Sequence, residues 1–135
     1  MNYDKLVQSA IDAMDLSKQH FEGTTRTGAA VLTSTNKIYQ GAYLAAKIGA
    51  LCRHAEETAI IHAQLHKDSN IIAIAVVFEK DKGTDNYCSP CGLCRELIHE
   101  ISDEFNNDID VVMANPNGKY IVKKISELLP DFWIK

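Results

Sequence analysis

The run from Ile71 to Phe78 constrains this chain more than any other stretch. It holds eight apolar residues in a row, most of them β-branched. Eight is far short of the roughly 18–20 residues that a helix needs to cross a bilayer. The composition suits instead a strand buried on both faces. A strand covered on both sides needs a helical layer above the sheet and another below it, which is the α/β solution.

The flanking patterns supply those layers. In residues 2–20, Tyr3, Leu6, Val7, Ala10, Ile11 and Met14 recur at steps of three and four and predict an amphipathic helix. Residues 26–33 and 37–44 read as two strands joined by the turn Ser34-Thr35-Asn36-Lys37. A loop containing Gly49 leads to a helix over residues 54–66, with Ala55, Ala59, Ile60, Ala63 and Leu65 as its apolar face. The central run, extended to residues 70–78, reads as core and nothing more. A polar loop follows over residues 80–89. Ser89 as cap and Pro90 at the first helical position then open a helix to about Phe105, with Leu97, Ile98 and Ile101 inward. Residues 109–113 and 120–122 make short strands around the turn Asn115-Pro116-Asn117-Gly118, and residues 125–129 a short helical turn. The order α, β, β, α, β, α, β, β, α predicts a three-layer α/β/α sandwich with a mixed five-stranded sheet. No linker, repeat or low-complexity tract divides it, so residues 1–135 read as one domain.

Charge and leader patterns exclude several function classes. The net charge is −4, so a polynucleotide partner is not expected. The first residues carry Asp4, Asp12 and Asp15 and no apolar leader, so a cytoplasmic protein without membrane attachment is expected. In that setting the four cysteines, Cys52, Cys88, Cys91 and Cys94, point to metal or catalysis rather than disulfides.

Two patterns carry the chemistry. His54-Ala55-Glu56 opens one predicted helix and Pro90-Cys91-Gly92-Leu93-Cys94 the next. Together they match the H-x-E…P-C-x-x-C signature of zinc deaminases. Cys91 and Cys94 stand at i and i+3, on one helix face, near free N–H groups and the positive dipole end that favour thiolates. With His54 they make three ligands for Zn2+, and a tetrahedral ion held by three keeps a position open for water. Glu56 then lies close enough to exchange protons with that water. Other readings of the same cysteines stay open at this point. Cys88, Cys91 and Cys94 with Cys52 also fit an iron–sulfur run, or with Cys52 or His54 a closed structural zinc. A thioredoxin-like pair at Cys91 and Cys94 fits less well, because the proline precedes it. Otherwise Cys52 and Cys88 read as free, partly buried thiols beside the site. His62 and His66 share a face turned to solvent or to an interface, Glu57 reads as solvent-facing, and nothing is assigned to His20 or His99.

Over nearly its whole length the chain resembles the small single-domain type of the cytidine deaminase family. The resemblance rests on Thr27-Gly28-Ala29-Ala30-Val31, His54-Ala55-Glu56, Ser89-Pro90-Cys91-Gly92-Leu93-Cys94-Arg95-Glu96, and Leu128-Leu129-Pro130 with Phe132. It implies hydrolytic deamination at C4 of an aminopyrimidine nucleoside, cytidine, deoxycytidine or an analogue. Glu56 would pass a water proton to the ring nitrogen and then to the leaving amine. The Ala55 N–H would contact the base carbonyl, and the backbone carbonyl near Ser89 the amino group. Arg95 would either bond a ligand thiolate or cap a surface. Phe132 and Trp133 would be core plugs or contacts in a homo-oligomer, a tetramer or dimer. Three departures stand out. His54 replaces the Cys usual in small members, and Glu57 follows Glu56 where an Arg is usual. Tyr43 and Ala45 fall where the family carries an Asn and a Glu that hold the ribose hydroxyls. Thr25 and Arg26 occupy the region where an aromatic residue usually packs on the base. Deaminases of nucleoside antibiotics, such as blasticidin S deaminase, share the scaffold and lack parts of that sugar motif, and supply the alternative substrate reading.

Overall fold

In the computed structural model, residues 2–17 and 25–133 are described. The elements are α1 (Asp4–Met14), β1 (Thr27–Thr33), β2 (Ile38–Ala42), α2 (Ala55–Leu65), β3 (Ile71–Phe78), α3 (Gly92–Glu104), β4 (Asp110–Ala114), β5 (Tyr120–Lys124) and α4 (Ile125–Leu128), with single 3-10 turns at Gly49–Leu51 and Glu79–Asp81. The five strands form one sheet in the order β2-β1-β3-β4-β5, parallel only between β3 and β4. The expected mixed sheet and its element order are therefore present.

Strand β3 sits at the centre of the sheet, as its composition requires. Ala73, Ala75 and Val77 pack with Leu6, Val7, Ala10 and Met14 of α1 on one face. Ile71 and Ile74 pack on the other with Ala59, Ile60 and Ala63 of α2 and Ile98 of α3. The sheet is thus covered on both sides, giving three layers. Small residues allow close approach where helices cross strands. A Cβ on Gly41 would collide with the Ala55 carbonyl oxygen and the backbone of Ala59 in α2. Replacing Gly41 by alanine is expected to cost about 1–3 kcal/mol of stability, read as a lower urea midpoint. An unchanged midpoint would mean that α2 can shift freely at this crossing.

One buried carboxylate pins the edge of the sheet opposite the helix starts. Asp68 Oδ2 accepts bonds from Thr33 Oγ1 (2.7 Å), Thr35 Oγ1 (2.6 Å) and Tyr39 OH (3.0 Å). The Thr35 hydroxyl foremost holds this carboxyl below its ordinary value. A depressed folded-state value contributes stability that is present above the ordinary carboxylate range, about pH 4, and lost as pH falls through the folded value. Urea midpoints measured from pH 7 down to 3 should therefore fall more steeply for the native chain than for Asp68→Asn. Parallel curves would exclude this role.

Several boundaries differ from the sequence reading. Helix α1 ends at Met14 rather than running to residue 20, and residues 18–20, His20 among them, lie outside the described set. Helix α3 starts at Gly92 with Cys91 as its cap residue, not at Pro90 with Ser89 as cap. The Ser89 hydroxyl instead accepts a bond from Arg95. Leu65 is 77% exposed. It stands two residues after buried Ala63, a rotation of about 200° that turns it to the opposite face.

Candidate active site

Strands β3 and β4 are parallel, so their carboxyl ends open on the same edge of the sheet, the edge where α/β folds bind ligands. The starts of α2 and α3 meet there. His54 is the cap residue of α2 and Cys91 that of α3, and Cys94 stands three residues further on. His54 Nδ1 lies 3.2 Å from Cys91 Sγ and 3.3 Å from Cys94 Sγ. The three donor atoms all fall within 4.8 Å of one another. A tetrahedral zinc with ordinary Zn–N and Zn–S bonds would separate nitrogen from sulfur by about 3.5 Å, so the donor set fits one ion with little adjustment.

The electrostatics of the thiols call for a cation. Burial first, then the neighbouring Glu56 carboxylate and Cys91, push the Cys94 thiol far above its usual value. A dication among the three donors offsets that cost and draws off the protons. Among the described residues no other group of three donors comes together in this way. Cys52 and Cys88 stand outside it as free thiols, both partly buried. Neither therefore completes a closed zinc site or an iron–sulfur cluster. Burial and the Glu56 charge push the Cys88 thiol up to about 12, so it stays protonated.

A pocket of about 180 Å³ opens beside the donors, lined by Thr27, Tyr43, Ala55, Glu56, Val76, Cys88 and Ser89 together with His54 and Cys91. Glu56, in the first turn of α2, is only 4% exposed, and burial foremost raises its carboxyl above the ordinary range. The Tyr43 ring stands edge-on to the His54 ring at 6.4 Å. Ala55, Ser89 and Tyr43, named from the sequence, thus do lie on the pocket wall. Ala45 does not, being fully buried.

Three residues read differently from the sequence expectation, and for a fourth, Trp133, one of two readings is excluded. Val76, assigned to the core alone, also lines the pocket, because β3 ends under it. Glu57 is half-buried rather than solvent-facing, and its Oε1 accepts the His54 backbone N–H at 3.0 Å, fixing the start of α2. Arg95 neither bonds a thiolate nor merely caps a surface. Its guanidinium donates to the Pro90 carbonyl (2.9 Å), Ser89 Oγ (2.6 Å) and the Leu128 carbonyl (2.9 Å), tying the pocket wall to α4. Trp133 is 85% exposed and no core plug, while Phe132 stacks on His99 at 3.9 Å. His62 and His66 are exposed, as expected, and pack against each other and Tyr39.

Comparison with known proteins decides the family. Residues 1–105 match the cytidine and deoxycytidylate deaminase zinc-binding region. That stretch contains His54, Glu56, Cys91 and Cys94. The chain belongs to the cytidine and deoxycytidylate deaminase family. It is 29% identical to a cytidine deaminase of Halalkalibacterium halodurans, over 96% of this chain and 92% of that protein. It is 32% identical to a blasticidin-S deaminase of Bacillus cereus, over 76% of this chain and 73% of that protein. A crystal structure of cytidine deaminase from Burkholderia pseudomallei superposes with a TM-score of 0.84 at 29% identity, covering 98% of this chain and 100% of that one. Family membership makes the chain a zinc-dependent hydrolase acting on C–N bonds, and His54, Cys91 and Cys94 are the residues that can hold the ion. No helix among the described residues is long and apolar enough to cross a membrane.

Proposed function

We propose that this chain hydrolyses an aminopyrimidine nucleoside, cytidine, deoxycytidine or an analogue, to its oxo form with release of ammonia. The observation that carries the reading is the convergence of three metal donors beside the buried Glu56 on one small pocket. Zinc held by His54, Cys91 and Cys94 supplies Lewis-acid activation of the attacking water. Glu56 takes one proton from that water, delivers it to the ring nitrogen, and then transfers the second to the departing amine. Water adds to the carbon across its double bond to the ring nitrogen, and the bond from that carbon to the amine then breaks, so the products are the oxo base and ammonia. The Ala55 N–H holds the base carbonyl, and the backbone carbonyl at Ser89 receives the amino group. Val76 and Cys88 form part of the pocket wall.

A second reading, a nucleoside antibiotic of the blasticidin S type as substrate, is favoured by two specific observations. One is the blasticidin-S deaminase relative. The other is that Tyr43 and Ala45 replace an amide–carboxylate pair. An ammonia-release screen over cytidine, deoxycytidine, cytosine, methylated cytosines, blasticidin S and aminopurines separates the two. Turnover of only purines, or of nothing, would overturn the pyrimidine assignment.

The setting proposed with this activity is pyrimidine salvage in the cytoplasm, with no polynucleotide partner. A homotetramer or dimer fits the exposed Leu44, Ile48, Leu51, Leu93 and Trp133. A solution mass of a single 15.0 kDa chain would contradict the assembly.

A further inference from the structure

Among the described residues, removing the metal donors and Glu56 from the pocket lining leaves few groups able to read the part of a substrate beyond its reacting ring. Those remaining are Thr27, Tyr43, Ala55, Val76, Cys88 and Ser89. None of them carries a carboxylate or a side-chain amide, the groups that grip a pair of adjacent hydroxyls. The Ser89 oxygen accepts from Arg95 at 2.6 Å. The Tyr43 hydroxyl faces the Cys52 thiol, which raises the tyrosine above its ordinary value. That sulfur is fixed by the Ala46 backbone, accepting from its N–H at 3.3 Å and donating to its carbonyl at 3.4 Å. The segment is braced again by paired bonds between Leu44 and Arg53, at 2.9 and 3.0 Å. Tyr43 therefore presents a ring held in place, with its polar end turned to Cys52. Ala45, two residues on, is turned wholly into the protein.

Resting on the deaminase reading above, we propose that Tyr43 selects the substrate by packing its ring against the substituent on the pyrimidine. Vicinal hydroxyls on that substituent are not read. The substrate class is then aminopyrimidines carrying a ring-shaped substituent, hydroxylated or not. A site that hydrogen-bonds a substrate hydroxyl rejects an analogue lacking it by a factor of about 10⁴ or more, because its own polar groups are left buried and unpaired. A wall of aromatic and small side chains imposes no such penalty.

The test compares kcat/KM of the full-length zinc-loaded chain for cytidine and 2′,3′-dideoxycytidine, then repeats it on Tyr43→Phe and Tyr43→Ala. The two nucleosides should differ by less than about tenfold on the native chain. Tyr43→Phe, which keeps the ring, should keep the native ratio of kcat/KM between the two nucleosides. Tyr43→Ala, with its zinc content checked, should raise KM for both nucleosides about tenfold or more with a smaller change in kcat. A loss of more than tenfold for the dideoxy compound on the native chain would overturn the inference while leaving deamination standing. So would an unchanged KM in Tyr43→Ala, or rejection of both nucleosides by a chain that deaminates another aminopyrimidine. Failure to deaminate any aminopyrimidine would instead remove the deaminase reading on which the inference rests.

Discussion

Glu56→Gln should keep about one zinc per chain and a native unfolding curve while losing about 10²–10⁴-fold in kcat, the range that a positioned proton carrier supplies. The upper end corresponds to about 5 kcal/mol of barrier. Glutamine matches the size and shape of glutamate, so the 4% exposed site is neither emptied nor overfilled. What it lacks is a proton that can be taken up and returned at two different atoms of the substrate. Glu56 belongs to neither donor pair around His54 Nδ1, so the metal site should be spared. The comparison needs zinc content, urea unfolding and ammonia release on the same preparation. Activity within a few-fold of native would show that another group moves the proton.

His54→Ala should behave in the opposite way, losing zinc and turnover together. The His54 side chain supplies one of three donors, whereas the start of α2 is fixed through its backbone N–H bonded to Glu57. The helix should thus survive the substitution. Zinc bound only to the folded state stabilises it by RT ln(1 + [Zn]/Kd), so the melting temperature of the metal-free native chain should rise on adding zinc. That rise should vanish in His54→Ala. The binding should also release protons, since the Cys94 thiol is held far above its ordinary value by burial and must ionise to ligate. Zinc affinity of the native chain should accordingly weaken as pH is lowered. A native-like zinc-induced shift in His54→Ala would remove this histidine from the ligand set.

What could be read from the sequence follows the range of the forces involved. Burial on both faces of β3 is written in consecutive residues, so the sheet and its helical layers were legible. His54 with Glu56, and Cys91 with Cys94, are local patterns at helix starts, so their shared edge could be inferred from alternation alone. Val76 was missed because the same apolar side chain serves as core at mid-strand and as pocket floor at the strand end. Arg95 was misread because its partners, Pro90, Ser89 and Leu128, are carbonyls and a hydroxyl, which leave no pattern in a sequence. The start of α3 shifted for a related reason. Ser89 has the chemistry of a cap, but its hydroxyl accepts from Arg95, six residues on, and Cys91 takes the cap position. Thr27 was read only as part of a strand segment, since its place at the pocket depends on the β1–β3 register that sets it opposite Phe78.

The central claim is that one zinc per chain, held by His54, Cys91 and Cys94, supports hydrolytic release of ammonia from an aminopyrimidine. Ammonia release measured while zinc is returned to the stripped chain tests it most directly. Turnover should rise in proportion to bound metal and level off at about one zinc per chain. Full turnover in the zinc-free chain, or none at one bound zinc per chain across the pyrimidine set, would contradict it.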